Sequence, residues 1–386
     1  VFGRLNSTPD ALFQSDAVKY AFIGLMRDLR GIAMSANSRR AYGFLFDWLY
    51  PAHMPILLKG LVHYADVPEV TTPLLKFVAE LVLNKSQRLT FDSSSPNGIL
   101  LFREVSRLIV AYGSRILPLS NKADMYTSKY KGISICLIIL ARALSGNFVN
   151  FGIFELYGDR ALVDALDIII KLMLSIPLGD IFAFRKVAVS YFAFLEALFN
   201  GHLSFVLNLD KTGLMLIFGS LESGIKDLSE KISSQCASAI DNLATFYFNH
   251  VTVGESVTSP AALRTVGLIS EFRELFSRIL RTLFEVVLLE DRGKQWDLGR
   301  AILSMILISE EAICYRATWT MLWMSNFELF SLFDLDVCKY EGSNFGIIST
   351  RQTPDTFSVL RQAYAKCDTY LGCKEQGQIL PEPDQI

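Results

Sequence analysis

Residues able to do chemistry are few in this chain. Its four histidines, His53, His63, His202 and His250, fall in unrelated segments, with no nucleophile elbow and no H-E-x-x-H. His202 follows Gly201 at an expected helix border, where a cap or loop histidine is the plain reading. Asp164 and Asp167 stand three residues apart and share a helix face, a spacing that suits a cation or paired carboxylates. No matching ligand accompanies them, so they read as the solvated face of an amphipathic helix. Cys367 and Cys373 resemble half a zinc site, but their spacing is wide and no histidine follows residue 250. No P-loop and no G-x-G-x-x-G occurs. The expectation is a protein that is not an enzyme, with no catalytic, cofactor-binding or metal-ligating residue and no cofactor. Asn6-Ser7-Thr8 and Asn84-Lys85-Ser86 match the glycosylation acceptor, a pattern short enough to arise by chance. The aromatic run at 148–157 could line a groove; packing between helices is the simpler account.

The elements that must position these side chains are helical. The clearest start lies within 86–117, where Ser93, Ser94 and Ser95 form a turn-prone tract. Ser95 can accept from an orphan backbone N–H, and Pro96 suits the first helical position. Leu101, Val105, Leu108 and Tyr112 then fall on one stripe, and Arg103, Glu104, Ser106 and Arg107 cover the rest. The same grammar predicts helices over 16–36 (Tyr20, Ile23, Met26 or Arg27, and Arg30 marking its turns), 37–50 and 53–64, and one starting at Thr72-Pro73. Further helices are expected over 125–144, from Asp159 onward, and over 185–199, 212–221, 229–250, 267–290 and 295–308. Residues 147–158 read as an aromatic-rich connection and 254–260 as a polar loop. Nine of the twelve prolines precede residue 310, nearly all at expected borders, so they punctuate helices rather than kink them. No stretch alternates with period two. The expected fold class is all-α, a HEAT/ARM-like helical-repeat solenoid with about seven units of roughly 40–47 residues across 10–308. A single globular helical domain would show the same rhythm of borders.

The totals exclude other classes. A hydrophobic content of 51% and a mean hydropathy of +0.33 raise the membrane question. A spanning helix needs about 18 or more consecutive apolar residues. The runs 132–141, 187–195 and 212–221 stop short, bounded by Lys131, Arg142, Lys186, Glu196, Lys211 and Glu222. Helices covered on two sides by neighbours account for the composition, and no membrane insertion is expected. With 37 basic and 39 acidic residues the net charge is −2, so no nucleic-acid partner is expected, and Arg39-Arg40 reads as a solvated loop. Six cysteines (Cys136, Cys236, Cys314, Cys338, Cys367, Cys373) are too scattered for a disulfide scaffold and suit a reducing compartment. The chain opens on Val1 without a secretory leader, as though cut from something longer. After about Glu310 the grammar lapses: 339–357 is rich in Gly, Ser and Thr, and Pro381-Glu382-Pro383-Asp384 is expected to be disordered.

Several segments carry a resemblance. They are MRDLRGIA (26–33), FDWLYPAHMPIL (46–57), ELVLNKSQRL (80–89), TFDSSSPNGILLFRE (90–104), KGISIC (131–136), NFVNFGIFELYGDRAL (147–162), KLMLSIP (171–177) and QWDLGRAILSMILI (295–308). In this order they resemble the exportin-7/Ran-binding protein 16 family, nuclear transport receptors of the importin-β class. The resemblance implies that residues 1–310 form the C-terminal HEAT array of such a receptor, a right-handed superhelix of antiparallel helix pairs. It also implies Ran-GTP-dependent export of protein cargo from nucleus to cytoplasm, with passage through the nuclear pore on FG-repeat nucleoporins. The family's principal Ran-binding region lies in N-terminal repeats outside this chain, so no position is assigned to Ran, cargo or nucleoporins. The rival reading is an α-solenoid scaffold or adaptor without Ran-coupled transport. Residues 229–265 match only loosely, and resemblance stops near Ser309-Glu310. Residues 311–386 are therefore expected to be a divergent tail from a misassigned exon or retained intron.

Overall fold

The computed structural model describes residues 2–90, 95–119, 124–248, 260–289 and 295–308. The expectations for Ser93, Ser94, His250, the 254–259 loop and the whole of 311–386 lie outside these. Among the described residues there is no strand. The chain divides into two compact units, Val1–Ala239 and Ile240–Ile386.

The first unit opens with α1 (Phe2–Ser7), α2 (Asp10–Phe13), α3 (Asp16–Ser35), α4 (Arg39–Leu49), α5 (Met54–Tyr64) and α6 (Pro68–Leu81). It continues with α7 (Asn97–Ile116), α8 (Lys131–Leu144), α9 (Gly152–Leu156), α10 (Ala161–Leu174), α11 (Leu178–Ala183), α12 (Arg185–Gly201), α13 (Leu203–Val206) and α14 (Lys211–Ile225); α15 (Glu230–Tyr247) begins in this unit, which ends at Ala239. Helix α3 packs on α6, α6 on α8, and α8 on α12. In parallel, α5 packs on α7, α7 on α10, and α10 on α14. Contacts of α5 with α6, and of α8 with both α7 and α10, tie the two series together. Long helices thus alternate between two layers along the chain, the arrangement of a helical-repeat array in which each unit buries its neighbour's face. The pairs begin at Met54, Asn97, Ala161 and Lys211. Their interval grows beyond the expected 40–47 residues where the short helices α9, α11 and α13 are inserted.

The expected stripes are largely buried. Leu101, Val105, Leu108 and Tyr112 of α7 are all at most 3% exposed, as are Leu57, Leu61 and Tyr64 of α5. Close approach of helices depends on two glycines. A Cβ on Gly60 would collide with the Phe22 ring, and one on Gly132 with the Tyr112 hydroxyl.

Several boundaries differ from expectation. Helix α6 starts at Pro68, not at Thr72-Pro73, and Pro73 lies inside it. Val67 is extended (φ −107°, ψ 92°), as the residue before a proline prefers, which sets the border there. Pro73 forfeits one backbone hydrogen bond, and the burial of Leu74, Leu75, Phe77, Val78 and Leu81 outweighs it. Residues 126–130 form one π-helical turn ahead of α8. Tyr20 is 66% exposed, because the buried stripe of α3 is Phe22, Met26, Leu29 and Ala33. Arg39 and Arg40 are exposed but helical, in the first turn of α4, whose N-cap Ser38 accepts from the Ala41 N–H at 3.2 Å. Ser106 is buried rather than solvated, because its hydroxyl donates to the Ala161 carbonyl at 2.6 Å.

In the second unit, α16 (Pro260–Glu271) packs on α17 (Arg273–Leu289), which packs on α18 (Gln295–Ile308). The single helix expected over 267–290 is therefore two. Phe272 divides them: its N–H donates to the Leu268 carbonyl, and its own carbonyl accepts from Leu275 and Phe276. Burial of that aromatic ring, only 6% exposed, holds the break in place.

Candidate functional site: a cationic cleft on one helix layer

The first unit carries a cleft of about 300 Å3 lined by α3, α6 and the start of α8. Its charged lining is Arg27 and Arg30 from α3, Glu69 and Lys76 from α6, and Lys131 from α8. The placement follows from helix periodicity. Arg27 and Arg30 flank the buried Met26 and Leu29, and Lys76 stands between the buried Leu75 and Phe77. Each cation thus projects at the rim of a seam that its neighbours close.

The cations lack counter-charges. Glu69 is bound to Lys19 from outside the cleft, Nζ to Oε2 at 2.7 Å. Among the described residues no carboxylate forms an ion pair with Arg27, Arg30, Lys76 or Lys131. Arg30 Nε is buried and has no hydrogen-bond partner. Burial pulls the Lys76 ammonium below its usual pKa, and the charges of Arg30, Lys131 and Lys186 of α12 pull it further. Three neighbouring helices of one layer therefore direct positive charge into the cleft, and Lys186 of a fourth acts on Lys76 from outside it. Such a cluster disfavours folding through self-repulsion, and it raises the local concentration of anions.

The residues considered for chemistry are not brought together. His53 lies against Trp48, with ring centroids 4.7 Å apart, and His63 Nε2 is 3.6 Å from Asp10 Oδ1. His202 caps α12 and meets Phe151 edge-on at 5.1 Å; burial lowers its pKa. Asp167 is exposed, and Asp164 is paired with Arg160 at 3.1 Å, as expected for an outer face. Among the described residues no three His, Cys, Asp or Glu side chains group as metal ligands. Cys136 and Cys236 are buried, and burial raises their thiol pKa values. Asn84 is committed to the fold: Nδ2 donates to the Gly146 carbonyl at 2.6 Å, and Oδ1 accepts from the Leu89 N–H at 2.9 Å. In the aromatic run, Phe151 and Phe154 pack on Phe102 at 4.9 and 5.3 Å, whereas Leu156 and Tyr157 are more than three-quarters exposed. Among the described residues no helix is long and apolar enough to cross a membrane.

Sequence reasoning missed the cleft. Its cations come from segments about a hundred residues apart, and the near-neutral total charge conceals them.

Comparison with known proteins gives this scaffold its relatives. Over 305 residues, 78% of this chain, it is 42% identical to Exportin-7-B of Xenopus laevis. It is 39% identical over 307 residues to Ran-binding protein 17 of Homo sapiens, and 38% identical over 310 residues to Ran-binding protein 16 of Drosophila melanogaster. This chain is homologous to exportin-7 and to Ran-binding proteins 16 and 17. The exportin-7-like match spans 28% of the length of each of these three curated relatives. No protein-family model matches the chain. A designed armadillo repeat protein superposes with a TM-score of 0.44 at 16% identity, covering 79% of this chain and 98% of the designed one. The two-layer alternation of helices, not that superposition, establishes the repeat architecture of the exportin-7-like first unit.

Proposed function

We propose that this chain serves as part of a nuclear export receptor that carries protein cargo to the cytoplasm in a Ran-GTP-dependent manner. The observation that carries the reading is the 42% identity to Exportin-7-B over 305 residues, most of the two-layer array included. An array of this kind suits the task physically. Each repeat contacts only its neighbours, so the scaffold presents a long surface and flexes at modest cost. Flexure lets one bound protein alter the affinity for another, and that coupling is reciprocal. On this reading the protein shuttles between nucleus and cytoplasm, and FG-repeat nucleoporins meet the same scaffold. Residues 1–310 then act as the HEAT array, and 311–386 as a segment outside it.

The test is a pull-down with the native full-length protein, comparing Ran loaded with GTP or GDP and identifying co-bound proteins. Cargo retained with Ran-GTP and released on hydrolysis supports export. Protein partners bound equally well in both nucleotide states would replace this reading with that of an adaptor.

A further inference from the structure

We propose that the cleft between α3, α6 and α8 binds an extended acidic segment of a partner protein, its carboxylates meeting Arg30, Lys76 and Lys131. This goes beyond the transport reading and does not depend on it. Three observations converge. The lining offers positive charge whose one carboxylate, Glu69, is already neutralised by Lys19. Arg30 Nε is a desolvated donor with nothing to accept its hydrogen, a cost that an arriving carboxylate would relieve. Lys186 on α12 continues the positive charge beyond the cleft along the same helix layer.

The dimensions favour a peptide. Neighbouring helices of a layer stand about 8–10 Å apart, so α3 to α12 spans roughly 24–30 Å. An extended chain rises about 3.3 Å per residue, so about eight residues cover that distance. A cleft of about 300 Å3 admits side chains one or two at a time, not a duplex. Nucleic acid would also call for cations along many successive phosphates, whereas the chain as a whole carries −2. Carboxylates every third residue of an extended polyproline-II chain, which has three residues per turn and rises about 3.1 Å per residue, fall about 9 Å apart on one face, matching one cation per helix.

The experiment titrates the 386-residue chain into a fluorescein-labelled Asp/Glu-rich peptide of that length and follows anisotropy. Binding is expected to weaken as salt rises from about 0.05 to 0.3 M. The K76E/K131E pair should weaken it by about tenfold or more, while R39E/R115E, exposed and outside the cleft lining with the same charge change, should leave it within about twofold. K76Q/K131Q is measured alongside and should give a smaller loss, so misfolding of the reversed pair does not decide the matter. Circular dichroism confirms that each variant is folded. Absence of peptide binding, or equal loss in R39E/R115E, overturns the proposal. Tighter binding of a poly-uridine RNA of equal charge also overturns it and makes the cleft a nucleic-acid surface. Because no Ran is present, failure here leaves the export reading untouched, and success does not presuppose it.

Discussion

The guanidinium of Arg88 lies 5.3 Å from the centre of the Tyr42 ring, fully buried, and Tyr42 in turn donates its hydroxyl to the Leu81 carbonyl at 2.7 Å. Arg88 Nε donates to the Leu83 carbonyl at 2.9 Å, Nη1 to Ala33 and Ala36, and Nη2 to Glu80. One side chain therefore satisfies the orphan Ala33 and Ala36 carbonyls at the C-terminal end of α3 and ties them to the end of α6, where the Glu80 and Leu83 carbonyls also accept from backbone N–H groups. The Glu80 carboxylate, 3.6 Å away, supplies the counter-charge. The turn that aims Arg88 inward has Ser86 and Gln87 in the left-handed region, at φ 54° and 55°. That backbone costs about 1–2 kcal/mol per residue, which the Arg88 hydrogen bonds offset.

Arg88→Met should thus destabilise the protein by about 3 kcal/mol, because it leaves buried carbonyls without donors. Tyr42→Phe should cost about 1 kcal/mol by leaving the Leu81 carbonyl unpaired. Urea unfolding of both variants checks the order; equal, negligible losses would show the clasp to be irrelevant.

Gly132→Ala should cost about 1–3 kcal/mol, because the added methyl falls on the Tyr112 hydroxyl at the contact of α7 with α8. Tyr112→Phe in the same chain should recover part of that loss. A double-mutant cycle with no coupling between the two sites would contradict the packing described.

Asp159 has two duties at the start of α10. Its Oδ1 accepts from the Ala161 N–H at 2.9 Å, and its Oδ2 pairs with Arg103 Nε at 3.0 Å. Asp159→Ala should cost about 1 kcal/mol, mostly through the lost Asx-turn hydrogen bond from the Ala161 N–H. Asp159→Asn keeps that acceptor and should cost less, since a partly exposed ion pair contributes little. Melting temperatures of the two variants distinguish the contributions.

His202 makes stability depend on pH. Burial holds its folded pKa below the ordinary 6.5, so the unfolded chain takes up the proton first. Its contribution is complete above 6.5 and is lost as pH falls from there through the folded value. His202→Gln should flatten the change in unfolding free energy between about pH 7 and pH 5. An unchanged slope would assign that dependence to other groups.

The helices and their buried stripes were legible in the sequence because they rest on local spacing. Leu101, Val105, Leu108 and Tyr112 are all buried as their intervals require, and Gln295–Ile308 has the expected bounds. At Ser106 and at Pro73, where expectation failed, packing distant in sequence intervened. Ser106 looked solvated until Ala161 was brought beside it, and Pro73 looked like a border until packing made it tolerable inside α6.

By itself, then, the sequence determined the helical class, the repeating borders and the similarity to exportin-7 and its relatives, each written in neighbouring residues. The tertiary structure alone decided which helices share a layer, and so which cations share a cleft. Arg30, Lys76 and Lys131 are ordinary flanking charges on three separate amphipathic helices. Only stacking α3, α6 and α8 side by side brings them together without a counter-charge, because electrostatic interaction depends on distance in space, not along the chain.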